Sequence, residues 1–344
     1  MLPTTAPPGQ SSASSSSLLP TSLQQQDAGF SRKGDKMTRR GMLAALSYMA
    51  CAVLLVMFNK AALSVYKFPC ANVITLLQVI CSSALLYFLR SWNFITFTVE
   101  VADSPGKGFV PLRTIRRTLP LSISYLLYMV AGMASIRGVN VPMYTTLRRT
   151  TVFFTMVMEY TIAGKKHSPA IVCSVGVIVV GALIAGARDF SFDLQGYSLV
   201  IVSNITTAVY LAVIARIGKA TSLNSFGLMW CNGVICGPLL CLWTWLSGEL
   251  GVALYFPALY LPGFQVVLLL SCMLAFCLNY TIFLNTSLNS ALTQTMCGNL
   301  KDFGTVFFGW LWFGGLPFDW LNVFGQFLGF FGSGVYAYCR LKGK

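Results

Sequence analysis

Charge is scarce in this chain: of its 344 residues only 10% are Asp, Glu, Lys or Arg, against roughly 25% in a soluble domain. With 56% of residues hydrophobic, that scarcity excludes an ordinary water-soluble globule, and lipid is the surrounding that satisfies the apolar excess. Histidine is nearly absent. The one imidazole, His167, lies in a Lys-Lys-His turn, and no two cysteines stand three apart, so a metal centre is not expected and no cofactor is implied. The 11 cysteines do not read as a disulfide framework either. Cys51, Cys81, Cys173, Cys236, Cys241, Cys272 and Cys277 sit inside apolar runs and act as small hydrophobes. The 10 acidic residues are scattered and supply no acid/base pair at a membrane face, so an enzyme is not expected. The first 40 residues lack any apolar stretch resembling a signal peptide. They are rich in Ser, Pro, Thr and Gln, with a run from Ser14 to Ser17, and read as a disordered tail.

What is present from Gly41 onward is a succession of apolar stretches near the length a helix needs to cross a bilayer, roughly 20 residues. Ten are legible, at about 41 to 65, 71 to 90, 118 to 136, 142 to 162, 169 to 187, 195 to 214, 225 to 247, 264 to 285, 291 to 313 and 320 to 339. The breaks carry turn chemistry, as in Ser168-Pro169, Leu261-Pro262-Gly263 and Gly314-Gly315-Leu316-Pro317. The expected fold is therefore an all-α membrane protein of ten transmembrane helices. Residues 41–187 and 195–339 would form two five-helix repeats, inverted because five is odd. Residues 1–40 and 340–344 flank them as tails. Small residues crowd the fifth stretch (Gly181, Ala182, Ala185, Gly186) and the tenth (Gly325, Gly329, Gly332, Gly334), which allows close helix approach.

The net charge of +14 is explained by position. With both termini cytosolic, the basic residues from Arg32 to Arg40, Arg90, Lys107, Arg113 to Arg117, Lys165, Lys166, Arg216, Lys219 and Arg340 to Lys344 fall on the cytosolic side. Only Lys67, Arg137 and Arg188 fall opposite. This is the positive-inside pattern, and it leaves no call on nucleic acid as a partner.

Six charges lie within the stretches: Lys60, Arg148, Arg149, Lys301, Glu159 and Asp302. Each costs on the order of 2.5 to 3.5 kcal/mol at a helix centre, so such residues face a cavity or a partner. Lys301 lies deepest and is the leading candidate. Neighbouring helix positions point about 100° apart, so Lys301 and Asp302 are not expected to neutralise each other. By the same geometry only one of Arg148 and Arg149 is expected in a central cavity. Lys60, beside Asn59, lies near a helix end where its stem can snorkel, and Glu159 is placed to pack or pair with Lys165. The intramembrane sum of +2 points to a substrate with about two negative charges.

These same residues resemble nucleotide-sugar transporters of the drug/metabolite transporter superfamily. The matching segments are Phe58-Asn59-Lys60, Asn140 to Arg149, and Gly298-Asn299-Leu300-Lys301-Asp302, and the likeness covers about residues 41 to 340. It is nearest to the branch carrying UDP-glucuronic acid and UDP-N-acetylhexosamines. The resemblance implies exchange of a cytosolic UDP-sugar for lumenal UMP across a Golgi or endoplasmic reticulum membrane. It implies a substrate site including Asn59, Lys60, Tyr144, Thr145, Arg148, Arg149, Asn232, Gly298, Asn299 and Lys301, with Trp230 available to stack on a base, and it leaves a homodimer open. GDP-mannose transporters carry Gly-Ala-Leu-Asn-Lys and Phe-Tyr-Asn-Asn where this chain has Gly298 to Asp302 and Met229-Trp230-Cys231-Asn232, which speaks against guanine. Plastid phosphate translocators follow the lysine with Arg, and here Asp302 follows it.

Overall fold

A computed structural model describes residues 37–97, 110, 112–138, 141–186, 194–221, 223–313 and 320–343. The expected tail lies outside them up to residue 36. The described residues fold as helices: α1 (Arg39–Lys60, running into a π-helical turn Ala61–Val65), α2 (Ala71–Ser91), α3 (Leu112–Arg117), α4 (Leu119–Gly138), α5 (Val141–Arg148), α6 (Thr151–Ala163), α7 (Pro169–Gly186), α8 (Leu194–Ala220), α9 (Ser225–Leu246), α10 (Glu249–Leu254), α11 (Pro262–Leu288), α12 (Ala291–Phe313) and α13 (Trp320–Lys342). Among the described residues, α1, α2, α8, α9 and α11 are long and apolar enough to cross a membrane, and α4 and α7 contain shorter apolar helices.

Local chemistry sets the boundaries. The Thr38 hydroxyl accepts from the Gly41 N–H at 3.1 Å and starts α1, and Asn224 starts α9 by accepting from the Gly227 N–H at 2.9 Å. Gly164, at φ 62°, ends α6 in the left-handed conformation that glycine adopts without a Cβ clash. Pro262 opens α11, where its missing N–H is not needed.

The stretch expected to be one helix over 142 to 162 is in fact two. Between α5 and α6 the backbone tightens to bonds from Arg149 N–H to Thr146 O (3.2 Å) and from Thr150 N–H to Leu147 O (3.0 Å). The Thr150 hydroxyl also donates to Leu147 O at 2.7 Å. Asn204 of α8 fixes the break: its Nδ2 donates to Leu147 O and to Thr150 Oγ1, both at 3.0 Å, and its Oδ1 accepts from Thr151 at 2.9 Å. A side chain inserted into the helical ladder interrupts it where sequence periodicity continues unbroken.

Packing follows a repeating pattern. Helix α1 lies against α11 and α12, while α8 lies against α4 and the α5/α6 pair. Helix α7 contacts α5 and α6 as α13 contacts α12, and α2 meets α9, α6 meets α12 and α7 meets α13. The α7/α13 contact is backbone to backbone. A Cβ on Gly181 would come within 2.7 Å of the Gly325 carbonyl oxygen, so both crowded stretches use their small residues on each other. Buried Leu86, Leu121, Ile214, Leu228 and Phe283 join α2, α4, α8, α9 and α11. The outward faces are apolar too: Phe327 of α13 is 65% exposed and Leu43 of α1 57%, a surface suited to hydrocarbon.

Candidate functional site

A cavity of about 450 Å³ lies between α1, α2, α4, α5, α6, α8, α11 and α12. Of the residues the sequence singled out, Arg148, Lys301, Tyr144, Thr145, Gly298 and Asn299 line it. Arg148 projects from the last turn of α5, just before the break. Its Nη1 donates to the Tyr144 hydroxyl, and its guanidinium lies 5.9 Å from the Tyr128 ring centroid and 5.7 Å from that of Tyr144. These contacts hold a planar cation at the wall without neutralising it.

On α12, Lys301 Nζ and Asp302 Oδ1 are 2.8 Å apart, contrary to the expectation that they stand clear of each other. The helical angle separates their Cβ atoms, but a four-carbon stem reaches round the helix to the neighbouring carboxylate. Both side chains keep part of their surface open, 23% for Lys301 and 33% for Asp302. Asn299, two residues nearer the start of α12 than Lys301, is buried, and among the described residues its Nδ2 has no hydrogen-bond acceptor. An unsatisfied amide on a cavity wall is costly until an acceptor enters.

Other expected residues are elsewhere. Arg149 turns away from the cavity: its Nη1 donates to Gln326 O at 3.1 Å and its guanidinium sits 4.3 Å from the centre of the Phe330 ring. Asn59 is committed to packing, its Oδ1 accepting from Gln78 Nε2 at 3.1 Å and Ser271 Oγ at 2.7 Å. Asn232 does not line the cavity and lies 3.5 Å from Cys236 Sγ. Trp230 stacks on Phe97, with ring centroids 5.5 Å apart. The side chain of Lys60 lies outside the described residues. Among the described residues, the charged side chains that line the cavity are Arg148, Lys301 and Asp302.

Several lining residues escaped the sequence reading. Tyr125, Tyr128 and Tyr210 form an aromatic wall, with Tyr128 and Tyr210 parallel to within 4° at 5.6 Å. Tyrosines are too common here to stand out. Gln78, Asn279 and Gln294 also line the cavity, and polar amides inside apolar stretches were the signal that could have found them.

One end of the bundle is tied together. Glu159 is buried, its Oε1 accepts from the Leu292 N–H at the start of α12 at 2.9 Å, and its backbone carbonyl accepts from the Lys165 N–H at 3.3 Å. Thr155 and Thr295 hydroxyls lie 3.1 Å apart, and Asn289 Nδ2 donates to Gly41 O at 3.0 Å. In the adjoining turn His167 Nε2 stands 3.5 Å from Glu159 Oε2. Burial holds the imidazole below its ordinary pKa against the pull of that carboxylate.

A helical bundle with an apolar exterior around a cationic, partly aromatic cavity is the build of a small-molecule carrier. Residues 39–338 match the Triose-phosphate Transporter family. The chain belongs to that family, and it is a transporter rather than an enzyme. Among its relatives, UGNT1 of Arabidopsis thaliana, a UDP-N-acetylglucosamine transporter, is 63% identical over 314 residues, 91% of each chain. The UDP-sugar transporter sqv-7 of Caenorhabditis elegans is 31% identical over 306 residues, 88% of this chain and 90% of its own. The GDP-mannose transporter GONST1 of Arabidopsis thaliana is more distant, 24% identical over 316 residues, 90% and 92% of the two chains. A solved crystal structure shares the fold with a TM-score of 0.59 at 12% identity, over 88% of this chain and 98% of the other.

Proposed function

We propose that this protein is a nucleotide-sugar antiporter, exchanging cytosolic UDP-N-acetylglucosamine or a related UDP-hexose for lumenal UMP across the Golgi membrane. The observation that carries the proposal is the cavity itself, lined by Arg148 of α5 and Lys301 of α12, with Arg148 beside Tyr128 of a parallel tyrosine pair. Two cations suit the phosphates and flat aromatic faces suit a base. The relatives named for UDP-sugars support uracil over guanine.

Alternating access is the proposed mechanism, carried out by ten spans in two inverted halves with both termini cytosolic. Helix pairing supports it: advancing each long apolar segment by five converts the α1/α11 contact into α8/α4, and α1/α12 into α8 with α5/α6. On this orientation the Glu159, Thr155 and Asn289 bonds seal the cytosolic side. A break in the chain beside a binding residue, as at Arg148, is where transporter helices gather ligand contacts.

The test is uptake by sealed proteoliposomes preloaded with UMP, with GMP or with neither, against a panel of radiolabelled nucleotide sugars. Uptake of UDP-N-acetylglucosamine into UMP-loaded vesicles alone is the expected result. Preference for GMP and GDP-sugars would overturn the uridine reading, and equal uptake without any preload would overturn exchange.

A further inference from the structure

We infer that Asp302 makes the site refuse a free nucleoside diphosphate while accepting the same diphosphate capped by a sugar. The inference rests on the sugar-nucleotide exchange proposed above and concerns the charge that the site tolerates at the second phosphate.

The cavity has a direction. Arg148 touches the aromatic wall through Tyr128, whose ring is parallel to that of Tyr210. A base on that wall brings the first phosphate to Arg148. The second phosphate then falls toward α12, where Lys301 and Asp302 face the same cavity 2.8 Å apart. A carboxylate beside a phosphate-binding lysine weakens anion binding in general, so its presence needs a reason in the ligand.

Ligand chemistry supplies that reason. In a sugar-capped diphosphate the second phosphate is a diester with a single negative charge that does not change near neutral pH. In a free nucleoside diphosphate it is a terminal phosphate whose further ionisation lies near pH 6, giving about one more charge at neutrality. Lys301 can balance one negative charge there, but Asp302 already occupies part of its capacity. The extra charge of the free diphosphate meets the carboxylate at close range in a partly dehydrated site, where like charges repel strongly. A nucleoside monophosphate ends at Arg148 and escapes this repulsion. The site therefore sorts its ligands by charge at one position: monophosphate and capped diphosphate are bound, and the uncapped diphosphate is turned away.

The test is equilibrium binding to purified full-length protein, comparing UDP with its β-methyl ester, which removes the extra charge without adding sugar hydroxyls. The wild type is expected to bind the ester at least about tenfold more tightly than UDP. Asp302→Asn is expected to reduce that gap to within about threefold, and Asp302→Glu, which keeps the charge, to preserve it. Equal binding of UDP and its ester by the wild type overturns the inference even should the Asn variant fail to fold, and so does a gap that survives in Asp302→Asn. Because the readout is binding, a failure of transport in vesicles counts against the exchange reading alone.

Discussion

At the scale of single residues, the meaning of a buried charge is decided by what its side chain reaches. Arg148 and Arg149 are adjacent in sequence, yet one faces the cavity and the other clamps α13 through Gln326 and Phe330. Their substitutions should therefore part company. Lys301→Ala and Arg148→Ala are expected to lower UDP-sugar uptake at limiting substrate by about 10- to 100-fold, the worth of one charge-assisted hydrogen bond. Arg149→Ala should instead lower the melting temperature of the purified protein and leave its apparent KM within about twofold, because it removes packing rather than a ligand contact. Rates and melting curves on the same preparations check both. The sequence singled out these cations because charge is expensive in lipid. It misjudged Lys301 and Asp302 because helical angles describe Cβ directions and not the reach of a lysine stem. It misplaced Asn59 and Asn232 because an amide that satisfies a neighbour looks, in sequence, like one that awaits a ligand.

At the scale of elements, hydropathy made the long apolar helices legible, because a helix facing hydrocarbon must be apolar along its length, while the short α3 and α10 fall outside the expected stretches. The α5/α6 break was hidden. It depends on Asn204, which is 54 positions from Thr150 in the chain and bonds to it at 3.0 Å, and no local pattern announces such a partner. The Glu159 contact with Leu292 is hidden for the same reason, and it joins the helix that follows Arg148 to the helix that carries Lys301. Glu159→Ala is expected to cost about 1 to 2 kcal/mol, as the loss of a helix cap does, while Glu159→Gln keeps an acceptor for the Leu292 N–H and should recover most of it. Thermal unfolding of the two variants separates these outcomes. The α7/α13 seam gives a second expectation. Gly181→Val places methyl groups against the backbone of α13 and should destabilise by about 1 to 3 kcal/mol or more. Gly176→Ala, with nothing within 4 Å of its new Cβ, should be nearly neutral in the same assay.

At the scale of the whole molecule, the sparse charge divides into a basic fringe at the helix ends and a few ionic groups inside. The fringe accounts for most of the +14, and the proposed cytosolic placement of both termini rests on it. Among the described residues the charges lining the cavity are Arg148, Lys301 and Asp302. A carrier that holds its substrate with so few charges should move it only against a counter-ligand that meets the same charges. The most direct measurement is efflux of radiolabelled UMP from loaded proteoliposomes, with and without unlabelled UDP-N-acetylglucosamine outside, for the wild type and Lys301→Ala side by side. The account predicts that UMP leaves the wild-type vesicles only when the sugar nucleotide is supplied, and scarcely leaves the Lys301→Ala vesicles at all. Efflux that is the same with and without external UDP-N-acetylglucosamine, or unchanged by the loss of Lys301, would contradict it.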